Sequence, residues 1–269
     1  MVKQKSSSIG FIDFKINLCG GKINVRERSG DNTMESHIHN KCEIYINLSG
    51  NVAFMVENRI YPIKSGDIII TRPYEAHHCI YYKTEEHDHY CINFSCDEGD
   101  ELFRVFFDRK NGEGNLITLP TVMKEKMIDL CNDMLEGKSK YKKCVSFLKL
   151  VELLSKNTVS ESASELPYDM GVSINYIKEN FANDISVKDL AKISHTTVNT
   201  LERHFKKYLG VSPYTYIQNS RLAYAVSILE DGGSVLSAAE ESGFSDYSHF
   251  ISFFKKTYGK TPLQYKKEM

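Results

Sequence analysis

Phe205-Lys206-Lys207, followed by Gly210, Ser212-Pro213 and Tyr216, recurs 49 positions later as Phe254-Lys255-Lys256, Gly259, Thr261-Pro262 and Tyr265. An aromatic residue and a basic pair before a helix-stopping glycine, then a proline that opens the next helix, describe one helix end used twice. Such a duplication restricts the end of the chain to a repeated all-helical unit.

The residues before each copy complete the unit. Ser186 with Asp189 caps a short helix carrying Val187, Leu190 and Ala191; Ser194-His195-Thr196 turns the chain, and Thr197 caps a second helix. Its buried stripe is Val198, Leu201, Phe205 and Tyr208, so the pattern is a helix-turn-helix. The opposite face carries Asn199, Thr200, Glu202, Arg203 and Lys206, with Lys207 beside it as a phosphate contact. In the second copy Ala238 and Ala239 precede a Gly243-Phe244-Ser245 turn and a helix with the stripe Phe250, Phe253 and Phe254. That helix shows Tyr247, Ser248, Ile251, Ser252 and Lys255 outward. A single polar helix face is ordinarily just solvated. Two of them, joined by a helix through Arg221, Leu222, Ala225 and Leu229, could stand about one duplex turn, ~34 Å, apart and address one side of DNA.

The F-K-K-x-x-G-x-[ST]-P-x-x-Y ending, the R-L-x-x-A start at Arg221, and the G-F-S-D-x-S-x-F run from Gly243 to Phe250 resemble the AraC family of bacterial transcription regulators over about 174–267. The resemblance implies a DNA-binding domain whose two helix-turn-helix units read successive major-groove segments of promoter DNA. By position Asn199, Glu202 and Arg203 match the base-facing residues of the family's first recognition helix, and Tyr247, Ser248, Ile251 and Ser252 those of the second. Where the family commonly carries Arg, this chain has Ser252, which leaves the second helix without a strong guanine or phosphate contact.

Charge bears on this reading. The chain's net charge is -1, and from Tyr168 onward 12 Lys and Arg face 11 Asp and Glu, so affinity must come from local placement and from dimerisation or a partner.

From about 10 to 96 apolar and polar residues alternate in short runs (Ile44, Ile46, Leu48; Val52, Phe54, Val56; Ile68, Ile70) punctuated by turn residues, the pattern of antiparallel strands. His37-x-His39-x3-Glu43-x6-Gly50, then Gly66-Asp67, Pro73 and His77, resembles the cupin signature of a small β-barrel, with Glu75 where a Gly is usual. Alternation along one strand would put His37, His39 and Glu43 on one face, with His77 brought to meet them. Three imidazoles and a carboxylate suit a divalent transition metal, although no cofactor is required; the same residues equally suit an organic effector, which the AraC resemblance implies. His78, His87 and His89 are additional candidates that read more readily as surface or rim residues, and Cys42 beside Glu43 could lend redox sensitivity.

Beyond Pro120 the period becomes helical, with Val122, Met127, Leu130 and Met134 in one segment and Val145, Leu148, Val151, Leu153 and Leu154 in the next, a hairpin that packs on the barrel or pairs in a homodimer. The fold expected is α+β: a cupin-like barrel over 1–119, a helical hairpin over 120–157, a linker over 158–167 and an all-α domain with two helix-turn-helix units over 168–269. Seven cysteines without a C-x-x-C pair, no signal peptide and no membrane span point to the cytoplasm. The function expected is a non-enzymatic, DNA-binding transcription regulator controlled by a small-molecule effector, engaging RNA polymerase if it activates. The alternatives are a metal- or redox-responsive regulator and a metal-dependent cupin enzyme with a helical appendage.

Overall fold

The computed structural model describes residues 5–11, 14–24, 36–50, 52–81, 86–157, 159–160 and 163–267. They form two compact units: one of the N-terminal strands with Lys41–Glu165, the other of 36–40 with 166–267.

The first unit holds two antiparallel sheets. The larger orders its strands β1 (Lys5–Phe11), β2 (Phe14–Asn24), β8 (Glu86–Phe94), β3 (Cys42–Ser49), β6 (Asp67–Thr71), β9 (Leu116–Thr118) and β10 (Val159–Ser160). The smaller orders β11 (Ser164–Glu165), β5 (Arg59–Ile63), β4 (Val52–Val56) and β7 (His77–Tyr81). Because side chains alternate across a strand, each central strand of the large sheet serves two cores. Cys42, Ile44 and Ile46 of β3, Ile68 and Ile70 of β6, and Tyr90, Ile92 and Phe94 of β8 turn one way, where they pack with Phe103, Met127, Leu130, Phe147 and Leu150. Tyr45 and Ile69 turn the other way, onto Val52, Phe54, Val56, Tyr61, Ile63 and Cys79 of the small sheet.

After a 3-10 turn at Glu101–Phe103, the helices of this unit are α1 (Arg104–Phe107), α2 (Thr121–Glu136) and α3 (Lys140–Ser155). The hairpin α2–α3 buries Met127, Leu130, Cys131 and Met134 on one side and Phe147, Leu150, Val151, Leu153 and Leu154 on the other. Val122, Val145 and Leu148, expected in the apolar stripe, are instead 80%, 48% and 43% exposed. The stretch 158–167, expected as a linker, also differs: Val159 and Ser160 pair with Ile117 and Leu116, and Ser164 and Glu165 pair with Ile60 and Arg59. Their Ser-rich composition hid the pairing, which satisfies backbone groups on β9 and β5 from far along the chain.

The second unit is helical: α4 (Tyr168–Asn180), α5 (Val187–Ile193), α6 (Val198–Leu209), α7 (Pro213–Glu230), α8 (Val235–Glu241), α9 (Tyr247–Tyr258) and α10 (Pro262–Lys267). The all-α domain expected here is present, and α4 opens it directly after Pro167. The short stretch 36–40 joins this unit through Ser36, whose N–H donates to the Leu209 carbonyl at 2.9 Å, and Asn40, whose Nδ2 donates to Glu230 at 2.5 Å. Among the described residues no helix is long and apolar enough to cross a membrane.

Candidate functional site

In each helix-turn-helix a serine opens the first helix: Ser186 caps α5 with a complete capping box to Asp189, and Ser234 caps α8. Ser194 and Ser242 close these helices by donating back to the Leu190 and Ala238 carbonyls. The recognition-type helices α6 and α9 are capped by Thr197 and Asp246 and stopped by Gly210 and Gly259, left-handed at φ 70° and 73°. The repeated Phe and Tyr explain themselves here. Phe205 meets Tyr216 edge-on at 5.7 Å and Phe254 meets Tyr265 the same way at 5.5 Å, so each pair locks a recognition-type helix to the one that follows it.

The two copies differ in the turn. Between α5 and α6 the left-handed residue is His195, φ 52°, and the cap Thr197 follows two positions later; between α8 and α9 it is Gly243, φ 84°, and the cap Asp246 follows three positions later. The extra residue accompanies Phe244, buried against Phe250 at 5.0 Å.

On α6 Leu201, Phe205 and Leu209 are buried, while Asn199, Glu202, Arg203, Lys206 and Lys207 are exposed. Val198 and Tyr208, expected in the stripe, are only half-buried. Thr197 and Thr200 are bonded to each other at 2.9 Å as part of the cap, and Lys206 donates to the Gly210 carbonyl, which orients its head along the helix end. On α9 Phe250 and Phe254 are buried; Tyr247, Ser248, Ser252 and Lys255 are exposed. Ile251, expected to face outward, is half-buried and packs on the α7–α9 core with Phe253.

In the first unit the face of β3 opposite the helices carries Glu43, Tyr45 and Asn47. Glu43 pairs across β3 with Asn93 of β8 on one side and Thr71 of β6 on the other, giving a polar row Asn93, Glu43, Thr71. From the small sheet His77, fully buried, brings Nε2 to 3.5 Å from the Glu43 carboxylate, while its Nδ1 donates to the Glu75 carbonyl at 2.7 Å. Burial opposes a charge on His77, but Glu43 and the Glu75 carbonyl outweigh it and hold its pKa above the usual imidazole value. Asn47 Nδ2 and Oδ1, Thr71 Oγ1 and Asn93 Oδ1 are buried and, among the described residues, make no hydrogen bond.

Further along the same face, Tyr45 donates to His87 Nε2, whose Nδ1 donates to the Ser49 carbonyl at 2.7 Å, and His89 stacks on Tyr45 at 5.2 Å. Burial lowers the His87 pKa. Thus His78, His87 and His89, expected at the surface or rim, are all buried. Nothing local signals this; only the alternation of β8, with Tyr90, Ile92 and Phe94 on the helix-packed face, places His87 and His89 on the other.

The four residues proposed from the cupin-like pattern come from different stretches of the chain rather than from one strand and its neighbour. Glu43 and His77 meet in the first unit. His37 and His39 do not extend β3, which begins at Cys42; they lie on the stretch 36–40 of the second unit, their rings 5.7 Å apart. The expectation of one alternating strand therefore fails, because the strand pattern cannot be read backwards past Cys42. Glu75 also acquires a role: fully buried, it accepts from Arg109 Nη1 and Nη2 at 2.7 and 2.5 Å, Gly112 N at 2.8 Å, Arg72 N at 3.0 Å and Asn115 Nδ2 at 3.2 Å. Burial alone would raise its pKa, but these donors, Arg109 first, bring it below the usual carboxylate value.

A β-sheet unit with a polar interior row, in a chain that also carries two helix-turn-helix units, defines a DNA-binding transcription regulator with a ligand-binding N-terminal domain. Two family models match: the AraC-like ligand binding domain over residues 25–136 and the helix-turn-helix domain over 190–268. The chain belongs to the AraC family of transcription regulators. It is 26% identical over 224 residues to the HTH-type transcriptional regulator YbfI of Bacillus subtilis (strain 168), 80% of each chain. It is 20% identical over 259 residues to the HTH-type transcriptional activator RhaS of Shigella flexneri, 91% of each. Among solved structures, ToxT from Vibrio cholerae aligns over 94% of this chain and 97% of its own at 18% identity and a TM-score of 0.41.

Proposed function

We propose that the effector is a small polar molecule held at the Asn93, Glu43, Thr71 row, and that its binding sets how well α6 and α9 engage promoter DNA. The carrying observation is the set of buried polar atoms on Asn47, Thr71 and Asn93 that find no partner among the described residues. Such atoms each cost roughly 1–3 kcal/mol when unsatisfied, a cost that a ligand with matching donors and acceptors removes and a hydrocarbon chain does not. The test is Thr71→Val. It should leave the unliganded protein equally stable or more so, since it deletes an unbonded hydroxyl at constant shape, and abolish the melting-temperature rise given by whichever sugar, polyol or amino acid stabilises the wild type. Destabilisation of the unliganded protein would show that Thr71 is bonded within the fold and remove the basis of the proposal.

On the DNA side Asn199, Glu202 and Arg203 are assigned to base edges, with the exposed Tyr247, Ser248 and Ser252 as the second set. Lys206, Lys207 and Lys255 are assigned to phosphates, and Thr197 and Thr200 to the helix end that meets the backbone. Arg203→Ala should weaken cognate binding about 10- to 100-fold while changing binding to random DNA little; equal losses on both would reject base readout by Arg203. The exposed Tyr141, Val145 and Leu148, spaced four and three apart along α3, support a homodimer through the hairpin. The protein so read works in the cytoplasm and, as an activator, contacts RNA polymerase.

The Glu43 and His77 pair favours a second reading, in which the effector is a divalent transition metal, with His37 and His39 of the sequence motif as further donors. Stoichiometric metal in protein purified without a His tag separates it from the first.

A further inference from the structure

Two thiols in the first unit stand close without being joined. Cys42, at the start of β3, and Cys96, just beyond the end of β8, hold their sulfurs 3.6 Å apart. The pairing places them there: Cys42 lies opposite Phe94, and Cys96 is two residues further on, on the same side of the strand as Phe94 by alternation. Cys42 is fully buried in the core between sheet and helices, whereas Cys96 is half-buried at its edge. A disulfide needs the sulfurs at about 2.05 Å, so closure asks for an approach of roughly 1.5 Å at a strand end.

We propose that Cys42 and Cys96 form a reversible dithiol–disulfide modification site, oxidised by a hydroperoxide. Cys96, the accessible partner, attacks the peroxide oxygen as its thiolate; the O–O bond breaks, the alcohol or water leaves, and Cys96 becomes a sulfenic acid. The Cys42 sulfur then attacks the Cys96 sulfur, the S–S bond forms, and the sulfenic hydroxyl departs with the Cys42 proton as water. Two thiols lose two electrons and two protons, and the O–O bond takes up both. The order of attack follows the environment. Cys42 is 0% exposed and Cys96 half-buried at the edge, so a peroxide reaches Cys96 first and Cys42 meets only the sulfenic acid beside it. The site does not depend on what the effector is. Its position next to Glu43 puts oxidation on the strand end that begins the polar row.

The experiment uses the full chain treated with hydrogen peroxide, quenched, alkylated under denaturing conditions and mapped by mass spectrometry. Two of the seven thiols should be lost. The mass should fall by about 2 Da, with the Cys42 peptide joined to the Cys96 peptide, and dithiothreitol should restore both thiols. Cys96→Ser should lose the cross-link, while Cys144→Ser, a half-buried thiol elsewhere, should form it as the wild type does. Oxidised wild-type protein in which Cys42 remains alkylatable overturns the proposal, whether Cys96 is left as a thiol, carried on to a sulfinic acid or cross-linked to another cysteine. The wild-type map decides the matter even if a serine variant fails to fold.

Discussion

Arg109→Ala is expected to destabilise the N-terminal unit by about 3–5 kcal/mol, the cost of leaving one member of a buried ion pair without the other. Glu75 is 0% exposed and has five donors, of which Arg109 supplies two. Without Arg109, the backbone N–H groups of Gly112 and Arg72, the amide of Asn115 and the half-buried Arg72 guanidinium at 3.8 Å remain, and these do not replace two charge-assisted bonds to a buried carboxylate. The pH dependence should therefore change sign. In the wild type the Glu75 pKa is lowered on folding, so its contribution is complete above the ordinary carboxylate value of about 4.3 and is lost as pH falls through the folded value. In Arg109→Ala burial dominates and raises that pKa, so the variant should lose stability as pH rises through the raised value. Urea unfolding followed by far-ultraviolet circular dichroism, repeated across pH, reads both effects. A loss below about 1 kcal/mol would show that the pair is solvated. The double change Arg109→Met with Glu75→Gln should recover much of the loss, because the uncompensated charge is gone.

Gly243→Ala is expected to cost on the order of 3 kcal/mol and to disable the second helix-turn-helix. Its φ of 84° already penalises a side chain by about 1–2 kcal/mol. A Cβ there would also stand 2.4 Å from the Ala182 carbonyl oxygen, 2.7 Å from its Cα and 2.8 Å from its carbonyl carbon. All three are backbone atoms, so nothing can rotate aside, and either the turn after α4 or the turn before α9 must shift. Gly259→Ala is the matched comparison: its φ is 73° but nothing lies within 4 Å of the added carbon. It should cost only the conformational share, about 1–2 kcal/mol. Equal losses at the two glycines in thermal unfolding would mean that the contact with Ala182 costs nothing.

The helical unit was legible from sequence because its signals are local. Ser186 with Asp189, Ser212 before Pro213 and the glycines at 210 and 259 each act within one turn of the helix that they start or stop. The β unit was legible only as strands. That Glu75 would find Arg109, that Cys42 would find Cys96, or that Val159 would extend the sheet at Ile117 depends on pairing across tens of residues, for which alternation gives a face but no partner. The cupin-like pattern was legible as donor types but not as strand boundaries. It supplied donor types at the right spacing, and Glu43 and His77 do meet, but spacing alone could not show that β3 begins only after His37 and His39 have passed.

Strand β3 is one residue thick between two interiors. Glu43, Tyr45 and Asn47 line one, while Cys42, Ile44 and Ile46 support the layer on which α2 and α3 rest. An effector bound at Glu43, as proposed, would therefore act one residue away from the layer that supports the hairpin, with no relay of intermediate side chains needed. A sensor built this way transmits like a drumhead, struck on one face and heard on the other.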